Sequence, residues 1–71
     1  MEYIRKVEII INGEEFNDTE ESLEQLRLLE NDYEHNIKIY IDTNKITYEK
    51  ESVSANDAIE YIEAVILWVE S

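Results

Sequence analysis

From Tyr3 to Ile11 the side chains alternate between two faces. Val7, Ile9 and Ile11 share one face, while Ile4, Lys6, Glu8 and Ile10 share the other. A period of two predicts a β-strand. Asn12-Gly13 follows directly. Both residues tolerate positive φ, so the pair predicts a type I′ hairpin turn and a short returning strand from Glu14 to Phe16. Asn17-Asp18-Thr19 is then a cluster of helix-capping residues, with Glu21 three positions after Asp18 in capping-box spacing. Leu23, Leu26, Leu29 and Tyr33 recur at helical spacing. They predict a helix over 19–31 that stops at Asn31-Asp32.

The second half repeats this order. Ile37, Ile39 and Ile41 alternate with Lys38 and Tyr40, which predicts a strand. Asp42-Thr43-Asn44 reads as a turn, because Asp and Asn bond back to their own backbone. Ile46 and Tyr48, alternating with Lys45, Thr47 and Glu49, predict the returning strand. Ser54 and Asp57 have capping-box spacing, and a helix is expected over 55–70. Its apolar face is built from Ala55, Ala58, Ile59, Ile62, Val65, Ile66 and Val69.

The order is ββαββα in a single domain over 1–71. The fold class expected is α+β, one antiparallel sheet of about four strands with two helices on one face. Val7-Glu8-Ile9-Ile10-Ile11 matches Ile37-Lys38-Ile39-Tyr40-Ile41 in pattern, at an offset of about 30 residues. This suggests a ββα repeat over 3–31 and 36–70. Two unrelated hairpin-helix units of similar size would give the same pattern.

Composition narrows the function. Asp and Glu number 18 against 6 Lys and Arg, a formal net charge of -12. Such a field repels polyanions, so direct nucleic-acid binding is not expected, and basic partners are favoured. The hydrophobic fraction of 44%, with its periodic Ile, Val and Leu, separates the chain from disordered acidic segments. No apolar run approaches the roughly 18 residues of a membrane span, and no apolar stretch follows Arg5-Lys6 as in a signal peptide. A cytoplasmic protein is expected, in the host cytoplasm if phage-encoded.

Candidate chemistry is sparse. There is no Cys or Pro and one Gly, which excludes thiolate sites and phosphate-cradling glycine loops. His35, the only His, falls in an expected loop. General acid catalysis needs a carboxyl whose pKa is shifted by burial, and Glu8 and Glu49 are the strand positions closest to that requirement. Asp42-Thr43-Asn44 opens like a calcium loop, but Thr47 stands where Gly is required and Val53 where Glu is required. No enzyme activity, cofactor or metal is expected.

The acids are placed on helix faces. Glu20, Glu21 and Glu24 point away from the leucine face of the first helix, and Glu60 and Glu63 do the same on the second. Carboxylates three or four residues apart on a helix stand roughly 5–6 Å apart, near the spacing of successive phosphates along a strand. Such rows are also the ordinary solvated face of a helix. Leu67 lies far from the apolar face, while Tyr61 and Trp68 lie on its flank. Asp57, Tyr61, Ala64 and Trp68 form a second stripe. Tyr61, Leu67 and Trp68 are therefore candidate apolar anchors for a partner.

Short length, absent Cys and Pro, a large acidic excess and the helix acids Glu20, Glu24, Glu60 and Glu63 together resemble the small acidic inhibitors of bacteriophages and mobile elements, including anti-CRISPR proteins and DNA mimics. The resemblance implies a non-enzymatic inhibitor. Its partner would be a basic protein surface on a CRISPR effector or another nucleic-acid enzyme. The alternative is a homodimeric regulatory module, antitoxin-like or immunity-like, that self-associates through the C-terminal helix.

Overall fold

A computed structural model describes residues 1–30 and 32–71. The elements run β1 (Ile4–Ile11), β2 (Glu14–Phe16), α1 (Thr19–Leu28), β3 (Ile37–Thr43), β4 (Thr47–Ser52) and α2 (Ala55–Glu70). The four strands form one antiparallel sheet in the order β2-β1-β3-β4. α1 packs on β1 and β2, α2 packs on β3 and β4, and the two helices touch. The fold is α+β, as the periodicity predicts.

The turn and both N-caps form as their chemistry requires, but neither capping box closes: no bond joins the Asp18 N–H to Glu21 among the described residues, and the Ser54 N–H donates to the Ser52 hydroxyl at 3.2 Å. Asn12 and Gly13 adopt φ of 50° and 87°, the two positive values of a type I′ turn. Asp18 caps α1 by accepting the Glu20 N–H at 2.9 Å, and Ser54 caps α2 by accepting the Asp57 N–H at 3.3 Å. Equivalent positions after each cap are buried: Ser22 and Ala58 four residues on, Leu26 and Ile62 eight residues on. Ser22 is accommodated because its hydroxyl donates to the Asp18 carbonyl at 2.7 Å.

The core lies between sheet and helices. Ile9, Ile11, Ile37, Ile39 and Ile41 meet Leu26, Ala55, Ala58, Ile62, Val65 and Val69 there. Ile4 departs from strict alternation. Ile4 faces Thr43 and Lys6 faces Asp42, so one extra residue, Arg5, is inserted in β1. This bulge moves Ile4 from the face of Lys6 onto the core beside Val7.

Three boundaries differ from expectation. α1 ends at Leu28, because the Leu29 backbone is extended and its N–H bonds Leu26 O, which turns the Leu29 side chain back onto the core. Tyr33 is consequently outside the helix and exposed. Of the stop expected at Asn31-Asp32, Asn31 lies outside the described residues. In the second hairpin Asp42 and Thr43 still belong to β3, and Ile46 is exposed in the turn. The Thr43 hydroxyl, buried, accepts the backbone N–H groups of Lys45 and Ile46 and lies 2.7 Å from Ile46 O, so it organises that turn.

Candidate partner-binding face

The helices run antiparallel. Arg27 of α1 reaches Glu63 of α2 at 4.0 Å, and earlier Leu23 shares a groove with later Leu67 and Glu70. At roughly 100° per residue, Leu67 and Glu70 lie within about 40° of Glu63, while Glu60 stands about 180° from the buried stripe of Ala58, Ile62, Val65 and Val69, on the outer face of α2. Glu20 and Glu24 lie within about 60° of Arg27 and about 160° from buried Ser22, on the outer face of α1. Of the five acids expected to bind a partner, Glu63 alone lines the groove, and Glu20, Glu24 and Glu60 stand on the exposed outer faces of the two helices beside it. Glu21 stands about 120° from Arg27, on the other flank of α1.

The groove measures about 680 Å³ and is mainly apolar, with Leu23, Ala64, Ile66 and Leu67 among its walls. Leu67 is 72% exposed. Glu63 and Glu70 border it one turn before and one turn after Leu67. Leu23, Ile66 and Glu70 line the groove but are not among the partner-binding candidates read from the sequence. Glu70 was readable, since Glu63, Leu67 and Glu70 fall at i, i+4 and i+7. Leu23 and Ile66 were assigned to core faces, and their exposed edge arises only when the two helices are set side by side.

The expected anchors divide between two flanks. Leu67 stands on the groove. Tyr61 and Trp68 stand on the opposite flank of α2, beside β4. Tyr61 is half-buried against the core, its hydroxyl points at Glu49 O at 3.5 Å, and the Lys50 ammonium lies 5.8 Å from its ring centre. Trp68 is exposed. The Tyr48 hydroxyl donates to Glu2 at 3.4 Å. Partial desolvation, then the Glu2 carboxylate, pushes Tyr48 above the ordinary phenol range. Desolvation also raises Tyr61, with Tyr48 and Glu49 adding to it.

Charge is distributed unequally between the two layers. Among the described residues, α1 and α2 carry Glu20, Glu21, Glu24, Asp57, Glu60, Glu63 and Glu70, and their single cation is Arg27. The other five cations, Arg5, Lys6, Lys38, Lys45 and Lys50, lie in the sheet or its turn. On the open sheet face, Arg5 pairs with Asp42 at 3.6 Å and Lys6 with Glu8 at 3.9 Å. Lys38 stands across from Glu51 in the register. That face is partly compensated, with Glu15 and Glu49 left over, whereas the helices carry one cation for seven acids. Glu8 is partly covered and held by Lys6, and Glu49 is exposed.

His35 ties two segments together. Its Nε2 lies 2.8 Å from Glu30 O, which can only accept, so Nε2 carries the proton. Its Nδ1 lies 3.2 Å from the Asn12 side-chain amide nitrogen. Asn12 Oδ1 accepts the Asn36 N–H at 2.9 Å, which fixes that amide's orientation and makes Nδ1 the acceptor. Among the described residues, no group of three His, Asp or Glu side chains could hold a metal ion, and no helix is long and apolar enough to cross a membrane.

Comparison with protein-family models, with curated proteins and with solved structures finds no match for this chain.

Proposed function

We propose that the protein is a small acidic, non-enzymatic inhibitor that binds the basic, nucleic-acid-binding surface of a larger protein, as a phage anti-CRISPR protein or DNA mimic does in the host cytoplasm. The observation that supports this reading is the segregation of charge. Five of the six cations lie in the sheet or its turn, while the two helices keep seven carboxylates with one cation, and two of those carboxylates, Glu63 and Glu70, border an apolar groove. A protein under no demand but solubility gains nothing from withholding cations from one face, because self-repulsion there destabilises the compact state. Glu20 and Glu24 on α1, with Glu60 and Glu63 on α2, stand in for phosphates. Leu67 adds desolvated contact, which screened charge alone supplies poorly. The test is capture of a target from a bacterial lysate followed by elution with duplex DNA or RNA. Release by nucleic acid supports the reading, and retention under saturating nucleic acid contradicts it.

A second reading is a homodimeric regulatory module joined through α2. The exposure of both Leu67 and Trp68 on that helix favours it. Pairing two copies along the groove flank sets Glu63 and Glu70 of each against like charge, so the Trp68 flank is the one available for such a dimer.

A further inference from the structure

The reading of the protein as a binder of basic surfaces leaves open what element of the partner enters the groove. We infer that the groove between α1 and α2 receives a basic amphipathic helix. That helix presents an apolar residue flanked by Lys or Arg about one turn to either side.

Three features of the groove specify this occupant. The first is the ridge Glu63, Leu67, Glu70, in which one exposed leucine is set between two carboxylates at i, i+4 and i+7. Its complement is a cation, an apolar residue and a second cation in the same spacing. Seven residues of helix rise about 10.5 Å on either partner, so both outer pairs form together with the apolar contact. The second is the apolar wall that Leu23 and Ile66 add beside Leu67. It gives the partner's central side chain a surface on both helices, and ridges packed into such a groove are the usual contact between helices. The third is the backbone of the walls. Both walls are helical, so their peptide groups are already bonded within each helix. An extended peptide entering the groove would leave its own N–H and C=O groups without partners, whereas a helix satisfies them internally.

Charge complementarity sets the sign of the partner. Arg27 meets Glu63 at 4.0 Å, but both side chains are more than half exposed, so this pair is worth little and yields to a competing guanidinium. Glu70 is in no ion pair among the described residues. An acidic or neutral amphipathic helix would face Glu63 and Glu70 without compensation.

The test uses two synthetic peptides of identical composition, built from Lys, Leu, Ala and Gln. One repeats Lys-x-x-x-Leu-x-x-Lys on a helical face, and the other is scrambled so that no face is amphipathic. Calorimetric titration should show the amphipathic peptide binding at least about tenfold more tightly than the scrambled one, with helix gained by circular dichroism. Leu67→Ala, at an exposed position that leaves the core intact, should remove most of that preference. Methyl resonances of Leu23, Ile66 and Leu67 should shift on binding. Equal binding of both peptides, lost in the Glu63→Gln/Glu70→Gln variant, would overturn the groove proposal and leave the basic-surface reading standing. Binding of neither peptide would overturn the proposal and count against that reading too. A preference insensitive to Leu67→Ala, with shifts confined to the Trp68 flank, would place the helix elsewhere and overturn it.

Discussion

Ile9 and Ile39 stand opposite each other at the centre of the β1–β3 ladder, and both are fully buried. Val7 faces Ile41 and Ile11 faces Ile37, so the pairing is symmetric about the Ile9–Ile39 pair. The two members of that pair are also equivalent positions when the first ββα unit is laid on the second. The strand order β2-β1-β3-β4 and the antiparallel helices follow the same approximate twofold axis. β1 and β3, the first strands of the two hairpins, therefore form the centre of the sheet.

This symmetry makes an energetic prediction. Ile9→Ala and Ile39→Ala each open a cavity at the same contact and should each cost about 2–5 kcal/mol. A domain of this size has a total stability of only about 4–10 kcal/mol. The double variant should depart from additivity, because each replacement empties space beside the other. Urea unfolding of the three variants checks this. A cost below about 1 kcal/mol for either single variant would show that the pair is not central to the core.

Salt should stabilise the isolated protein. The uncompensated carboxylates of α1 and α2 repel one another, and screening acts mainly on exposed charge. The urea midpoint should rise between low and high NaCl. An unchanged or lower midpoint would mean that the helical acids are already compensated.

Alkali should destabilise it through Tyr48 and Tyr61. Both hydroxyls are raised above the ordinary phenol value, by desolvation first and by neighbouring negative charge second. A raised folded pKa means that the folded state holds the proton more tightly than the unfolded one. The contribution is fully present below about pH 10, the unfolded phenol value, and is lost as pH rises through the folded value. Tyrosinate absorbance should therefore develop later in the folded protein than in urea, and Tyr48→Phe should flatten the loss of stability above pH 10. Identical titration curves for folded and unfolded protein would contradict the environment described for these rings.

Much of the fold was legible because its determinants are local. Asn12-Gly13 needs only its own backbone to specify the turn, and Asp18 and Ser54 cap helices through N–H groups two or three residues on. The features that escaped depend on distant partners. Ile4 reaches the core only through the bulge at Arg5, which exists in register with Asp42 and Thr43. α1 ends early because Leu29 is drawn to the core, and Ile46 is left outside by the turn that Thr43 holds together. The same division applies to the candidate site. The exposure of the acids and of Leu67 could be read from helical spacing. The meeting of Arg27 with Glu63, the docking of Tyr61 under Lys50 and the groove itself require α1, α2 and β4 to be placed against one another.

Oligomeric state separates the two functional readings. The inhibitor reading predicts a monomer in sedimentation at micromolar concentration and low salt, since the helical face repels its own copy. A dimer that Trp68→Ala converts to monomer would favour the self-association reading and locate the seam on the β4 flank of α2.

The most direct measurement concerns four carboxylates of the helical face. Replacing Glu20, Glu24, Glu60 and Glu63 together by Gln keeps size and helix propensity and removes only charge. Titrated against the captured target, the quadruple variant should bind more weakly, by about 2–5 kcal/mol for each carboxylate whose partner cation is desolvated and by less at the rim. Its salt dependence should be flatter, and wild-type protein should compete with nucleic acid for the same surface. Binding as tight as wild type by the quadruple variant, or a complex that saturating nucleic acid leaves intact, would contradict the account.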